Sequence, residues 1–188
     1  DDGHAVGLVT QFEYGVTDRA EILIEPFLQE WDYPKGLPSM HGAGDLEVTP
    51  SYEVILEDGW VPAALLALKV KVPTGEKKIG GSGKFDYYPY VILGQHAGPW
   101  TFNFNAGVNF VTPEDGGAFE QTGTWAIEAE RKWGELTTFV EAFSTEDAVT
   151  TGNVALEYEF TEHFNAFLAV GHDVEGSTII RPGFNLEF

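Results

Sequence analysis

The last eleven residues constrain this chain most. Thr178 to Phe188 read T-I-I-R-P-G-F-N-L-E-F. In an extended strand Thr178, Ile180, Pro182, Phe184, Leu186 and Phe188 share one face, and Ile179, Arg181, Gly183, Asn185 and Glu187 share the other, because strand side chains alternate with period two. One face is greasy, the other carries charge and amide, and the strand ends on an aromatic residue. In water such a strand exposes apolar surface and an unpaired edge. In a bilayer the greasy face meets lipid, and the backbone is satisfied when the strands close into a barrel.

The rest of the chain repeats the pattern. Alternation predicts strands over roughly 5–14, 20–31, 44–57, 62–73, 85–97, 100–112, 119–133, 135–146, 150–160, 164–174 and 178–188, with no convincing helical period. Several reach the 9–11 residues that cross a bilayer at a tilt, whereas strands of soluble proteins cluster near five or six. The clearest is 100–112, where Trp100, Phe102, Phe104, Ala106, Val108 and Phe110 oppose Thr101, Asn103, Asn105, Gly107 and Asn109. In 44–57, Leu46, Val48, Pro50, Tyr52, Val54 and Leu56 oppose a row holding Asp45, Glu47, Glu53 and Glu57.

A soluble sandwich shows the same two faces, so the strand ends discriminate. Connections are short at Gly15–Arg19, Asp58–Trp60, Gly98–Pro99, Trp133–Gly134 and Thr161–His163. They are longer at Asp32–Ala43, Thr74–Lys84, Thr112–Gly117 and Asp173–Ser177, with Glu146–Thr150 a short one in a long-loop slot. Short turns at one rim and longer loops at the other are the outer-membrane pattern. Tyr14, Trp31, Tyr33, Trp60, Trp100 and Trp133 lie where strands meet connections, and together with the terminal Phe188 they form the expected girdle at the membrane surfaces.

Composition narrows the classes further. At 188 residues one domain spanning 1–188 is expected. No run of about 18 apolar residues exists to form a spanning helix; the longest candidate, Ala63 to Val72, is broken by Lys69 and Lys71. The absence of cysteine excludes disulfides and thiolate metal sites. A net charge of −20 argues against nucleic acid as a partner. Aromatics at 14% and abundant glycine argue against disorder as well.

If short turns face the periplasm, the last strand runs inward and the strand over 5–14 does too. Single-chain bacterial barrels have an even number of strands. The eleven expected strands therefore imply a twelfth before Asp1, unless one strand has been split or merged.

Several short motifs, in order, resemble a known family. Gln11–Glu21 reads Q-F-E-Y-G-V-T-D-R-A-E, Gly42–Glu47 reads G-A-G-D-L-E, and Val72–Gly75 reads V-P-T-G before the glycine-rich Gly80–Gly83; Trp100–Gly107 reads W-T-F-N-F-N-A-G. The set, covering roughly residues 10–110, resembles outer-membrane barrel transporters of the "MetA-pathway of phenol degradation" type. The resemblance implies an outer-membrane channel or uptake protein loosely linked to aromatic or other hydrophobic compounds, with no defined ligand. That family's N-terminal strand has no counterpart here. The C-terminal Phe strand adds the barrel assembly machinery as an expected partner.

With the greasy face toward lipid, the other face lines a lumen. Candidate lumen and solute-binding residues are Glu21, Glu25, Asp45, Glu47, Glu53, Lys69, Lys71, Asp86, Tyr88, Tyr90, Glu128, Glu141 and Arg181. Lys69 and Lys71 follow the acid-rich 44–57 and can neutralise part of it across strands. The remaining carboxylates make the interior electronegative and favour cations. The same row also fits a structural charge ladder filling a narrow barrel. Tyr88 and Tyr90, with Phe139, Phe143 and Phe167, fit either an amphipathic binding surface or packing bulk.

Catalysis finds little support. His4, His41, His96, His163 and His172 are scattered, none at the spacing of a helical metal site. Asp45 or Asp86 with His96 lacks an accompanying serine motif. Gly80–Lys84 lacks the spacing of a phosphate loop. Acidic Asp1–Asp2, Glu114–Asp115 and Asp173–Glu175 match no calcium-ligand spacing and read as solvated loops. No enzyme activity, cofactor or metal is expected. The expected function is a bacterial outer-membrane β-barrel channel for small solutes with an acidic lumen. The alternatives are a closed barrel contacting partner proteins at its rims, and a soluble lipocalin-like barrel with its greasy face inward.

Overall fold

The computed structural model describes residues 4–33, 39–76, 83–113, 117–144 and 150–187, with the side chains of 4–5, 8–9 and 26–33 left aside. The described residues contain strands and no helix. The strands are β1 (His4–Thr17), β2 (Ala20–Tyr33), β3 (Met40–Ala43), β4 (Leu46–Ile55), β5 (Ala63–Val72), β6 (Asp86–Ala97), β7 (Trp100–Val111), β8 (Glu120–Trp133), β9 (Leu136–Ser144), β10 (Thr150–Thr161), β11 (Phe164–Asp173) and β12 (Thr178–Leu186). They form one sheet in the order β1-β2-β4-β5-β6-β7-β8-β9-β10-β11-β12, with β3 pairing β2 beside that path. Eleven of the twelve are the strands read from alternation. The twelfth, β3, lies inside the expected loop 32–43, where four residues are too few for a period to show.

Apart from β3, each strand pairs with the next one in sequence, through tight turns or longer connections. Gly98 and Gly134 sit in two-residue turns at φ of 63° and 70°, a region open to glycine at no steric cost. Short connections at Asp18–Arg19, Gly98–Pro99, Gly134–Glu135 and Glu162–His163 alternate with longer ones, while the expected short turn at Asp58–Trp60 lies within the longer connection 56–62, closed by the Asp58–Val61 bridge. Register shifts between Thr10 and Phe12 and between Gly15 and Thr17 place bulges in β1.

By internal contacts the chain falls into two compact units. One comprises Asp1–Glu53, Leu66–Tyr90 and Val108–Gln121; the other comprises Val54–Leu65, Val91–Gly107 and Thr122–Phe188.

The polarity of the sheet is inverted relative to a soluble fold. Along β10, Val154, Leu156, Tyr158 and Phe160 are exposed while Asn153, Glu157 and Glu159 are half-buried. Along β7, Trp100, Phe102, Phe104 and Val108 are exposed, while Asn103 and Asn105 are half-buried and Asn109 is buried. β4 follows suit, with Tyr52 and Val54 exposed and Glu47, Thr49 and Glu53 withdrawn. An aqueous protein does not present so large a contiguous apolar face. This pattern overturns the lipocalin-like alternative, which needs its greasy face on the inside.

Candidate functional site

Two clusters occupy the half-buried face, one in each unit. In the first unit, the Lys71 ammonium lies 2.6 Å from Asp86 Oδ2. Asp86 is fully buried, and its Oδ1 accepts the Thr112 N–H at 2.7 Å. A carboxylate removed from water needs a counter-charge and donors; Asp86 has the Lys71 charge at Oδ2 and the Thr112 N–H at Oδ1. Lys69 Nζ sits 3.1 Å from Glu47 Oε2 and 4.8 Å from the centre of the Tyr88 ring, a cation held between a carboxylate and a π face. Glu25 lies directly opposite Glu47 in the β2–β4 register, and its Oε1 accepts the Gln11 amide at 2.8 Å. Glu21, Glu53 and Tyr90 are half-buried in the same unit, and Tyr88 is buried.

Asp45 lies at a junction between two connections. Its Oδ1 accepts the Gly75 N–H at 2.7 Å, the Thr74 hydroxyl oxygen accepts the Leu46 N–H at 2.8 Å, and Ala43 O accepts the Glu76 N–H at 2.9 Å. The Gly42–Glu47 and Val72–Gly75 motifs thus dock on each other. A Cβ at Gly75 would stand 2.7 Å from the backbone at Gly44 and Asp45, which explains the glycine.

In the second unit, Glu128 on β8 directly opposes Glu141 on β9. Glu128 Oε1 accepts the Asn103 amide at 3.0 Å, and Glu141 Oε2 accepts the Asn153 amide at 3.5 Å. Neither glutamate has a basic group within ion-pair distance among the described residues; the Arg181 charge acts on Glu141 only from further away. With Ile92, Asn103, Asn105 and Ala126, the two glutamates line a cavity of about 200 Å³. The Asn105 carbonyl oxygen is buried there without a hydrogen-bond partner. Because the Asn103 and Asn153 amides are spent on the carboxylates, this wall offers acceptors, and its complement is a cation or a donor-rich solute. Alternation points to the glutamates; the three asparagines that share their face were not singled out by sequence, because neutral amides carry no signature of their own.

Arg181 is exposed on β12, which stands at one end of the strand order. Of the expected girdle, Trp60 is 98% exposed, Tyr14 is 71% exposed, and Trp100 and Trp133 are exposed as well. The Trp31 side chain and Phe188 lie outside what the structure describes. A further aromatic row, Tyr158, Phe160, Phe164 and Phe184, has ring centres 4.8, 5.5 and 6.3 Å apart in succession, beside the Glu162–His163 turn. It is built from three strands, so only pairing reveals it.

His96, considered for catalysis with Asp45 or Asp86, pairs with Glu57 instead. His96 Nδ1 lies 2.5 Å from Glu57 Oε2, whose partner Oε1 accepts the His96 N–H and the Gln95 amide. This hydrogen bonding holds the Glu57 carboxyl below the usual carboxylate range. Asp173 Oδ1 accepts the Glu175 and Ser177 N–H groups, each at 2.9 Å, so this acidic loop is a capped turn. Asp1–Asp2, Glu114–Asp115 and most of Gly80–Lys84 lie outside the described residues.

No family model and no curated protein matches the chain. Solved structures do. The KdgM porin matches with a TM-score of 0.69 at 14% identity, over 99% of this chain and 96% of that one. An outer membrane channel from Pseudomonas putida F1 matches with a TM-score of 0.66 at 15% identity, over 98% of this chain and 81% of that one. The NanC porin matches with a TM-score of 0.59 at 11% identity, over 99% of each chain. The chain has the all-β, antiparallel fold of bacterial outer-membrane β-barrel porins and channels.

Proposed function

We propose that the protein is an outer-membrane channel for small solutes that favours cations. The observation carrying this reading is the collection of carboxylates on the half-buried face, two of them, Glu128 and Glu141, lining a cavity without an ion-pair partner among the described residues. Carboxylates in a confined aqueous path raise the local concentration of cations and repel anions. One KdgM structure is described as a complex with oligogalacturonate, a polyanion; this chain's acidic wall disfavours such a solute. Tyr88 and Tyr90 near Lys69, Glu47 and Glu25 add aromatic surface to the same face, which supports an organic solute with an apolar part, in keeping with the aromatic-compound resemblance.

Planar-bilayer recording of the refolded protein under a salt gradient tests this. The expected result is steady conductance with a cation-selective reversal potential, weakened in the Glu128→Gln/Glu141→Gln double variant. An inserted but silent barrel would overturn it in favour of a closed barrel contacting partners.

A further inference from the structure

Along β4 to β12, the described strand positions that share the exposed apolar face hold one Asp, Glu, Lys or Arg, namely Arg131. It falls in the row Trp125, Ile127, Ala129, Arg131, Trp133, two residues before the Gly134–Glu135 turn. Its guanidinium carbon lies 3.6 Å from the centre of the Trp133 ring and 5.0 Å from that of Trp100. The cradle is fixed by its surroundings. Thr138, the cross-strand partner of Arg131, donates its hydroxyl to Arg131 O and accepts the Trp133 indole N–H, each at 3.3 Å, and Trp100 stacks on Phe102 at 6.1 Å. Arg131 Nε is buried without a hydrogen-bond partner, and Arg131 pairs with no carboxylate among the described residues.

A guanidinium stays charged and brings five donors. On a face meeting hydrocarbon it is costly unless it reaches the headgroup layer, where phosphate offers the bidentate acceptor that its fork matches. Stacking on tryptophan fixes the fork's plane and lowers the entropy lost on binding. We propose that Arg131, held by Trp100 and Trp133, binds the phosphate of a glycerophospholipid in the leaflet at the short-turn rim. The proposal rests on the outer-membrane reading and is independent of whether the protein conducts.

The test is native mass spectrometry of the refolded, delipidated protein titrated with phosphatidylglycerol, with diacylglycerol of the same chains, and with inorganic phosphate. Wild type should retain phosphatidylglycerol about tenfold better than Arg131→Gln, with Arg131→Lys between them and diacylglycerol binding weakly and equally to all. Equal retention by wild type and Arg131→Gln would overturn the proposal, as would full competition by inorganic phosphate, which would mark a free-anion site. Heat-modified gel mobility reports folding; if Arg131→Gln fails to fold, Arg131→Lys against wild type decides by the same criterion. Failure of the wild type to insert into vesicles would instead sink the outer-membrane reading.

Discussion

The two clusters on the half-buried face solve the same problem in opposite ways. In the first unit two carboxylates are matched, Asp86 by Lys71 and Thr112 and Glu47 by Lys69, even though Glu25 directly opposes Glu47. In the second, Glu128 and Glu141 face each other with amides for partners and a cavity beside them. Directly opposed like charges destabilise a sheet, whereas a buried ion pair, once formed, punishes the loss of either member. On the proposed channel reading, the first arrangement holds structure and the second leaves electrostatic potential available to a solute.

Substitutions that remove one partner sharpen this contrast. The largest effect is expected for Lys71→Ala, which strands the buried Asp86 charge and should cost on the order of 3–5 kcal/mol in urea unfolding from vesicles; an unchanged midpoint would show that Asp86 is not sealed from water. Gly75→Ala should cost about 1–3 kcal/mol, since its Cβ has no room against the Gly44–Asp45 backbone. Glu141→Gln should go the other way, neutral or stabilising by roughly 0.2–1 kcal/mol, while cation selectivity falls in reversal-potential measurements. A destabilised Glu141→Gln with unchanged selectivity would erase the distinction between the clusters.

The smallest effect is expected at Glu57, outside the strands. Its carboxyl is held below the ordinary range by His96, so its contribution is present above the unfolded value of about 4.3 and is lost as pH falls through the lower folded value. The advantage of wild type over Glu57→Gln in unfolding midpoint should therefore shrink toward acid; a constant gap down the acid limb would remove His96 as the cause.

Period-two alternation was enough to read eleven strands, both faces and most turns, because a membrane forces every strand to the same length scale and polarity. It missed β3, whose four residues show no period. Nor could it show that the Asp45 carboxylate accepts the Gly75 N–H, thirty residues on. Parity gives a side chain's face and says nothing of who meets it there.

What the sequence by itself determined is the inverted amphipathic sheet, since alternation is a local property of the chain written at every second residue. Only the tertiary structure decided which carboxylates are neutralised, that Arg131 lies in a tryptophan cradle, and that Tyr158, Phe160, Phe164 and Phe184 form one row. Those outcomes depend on cross-strand register and on neighbours far apart in sequence, where shifts of a few ångströms separate an ion pair from an unpaired charge.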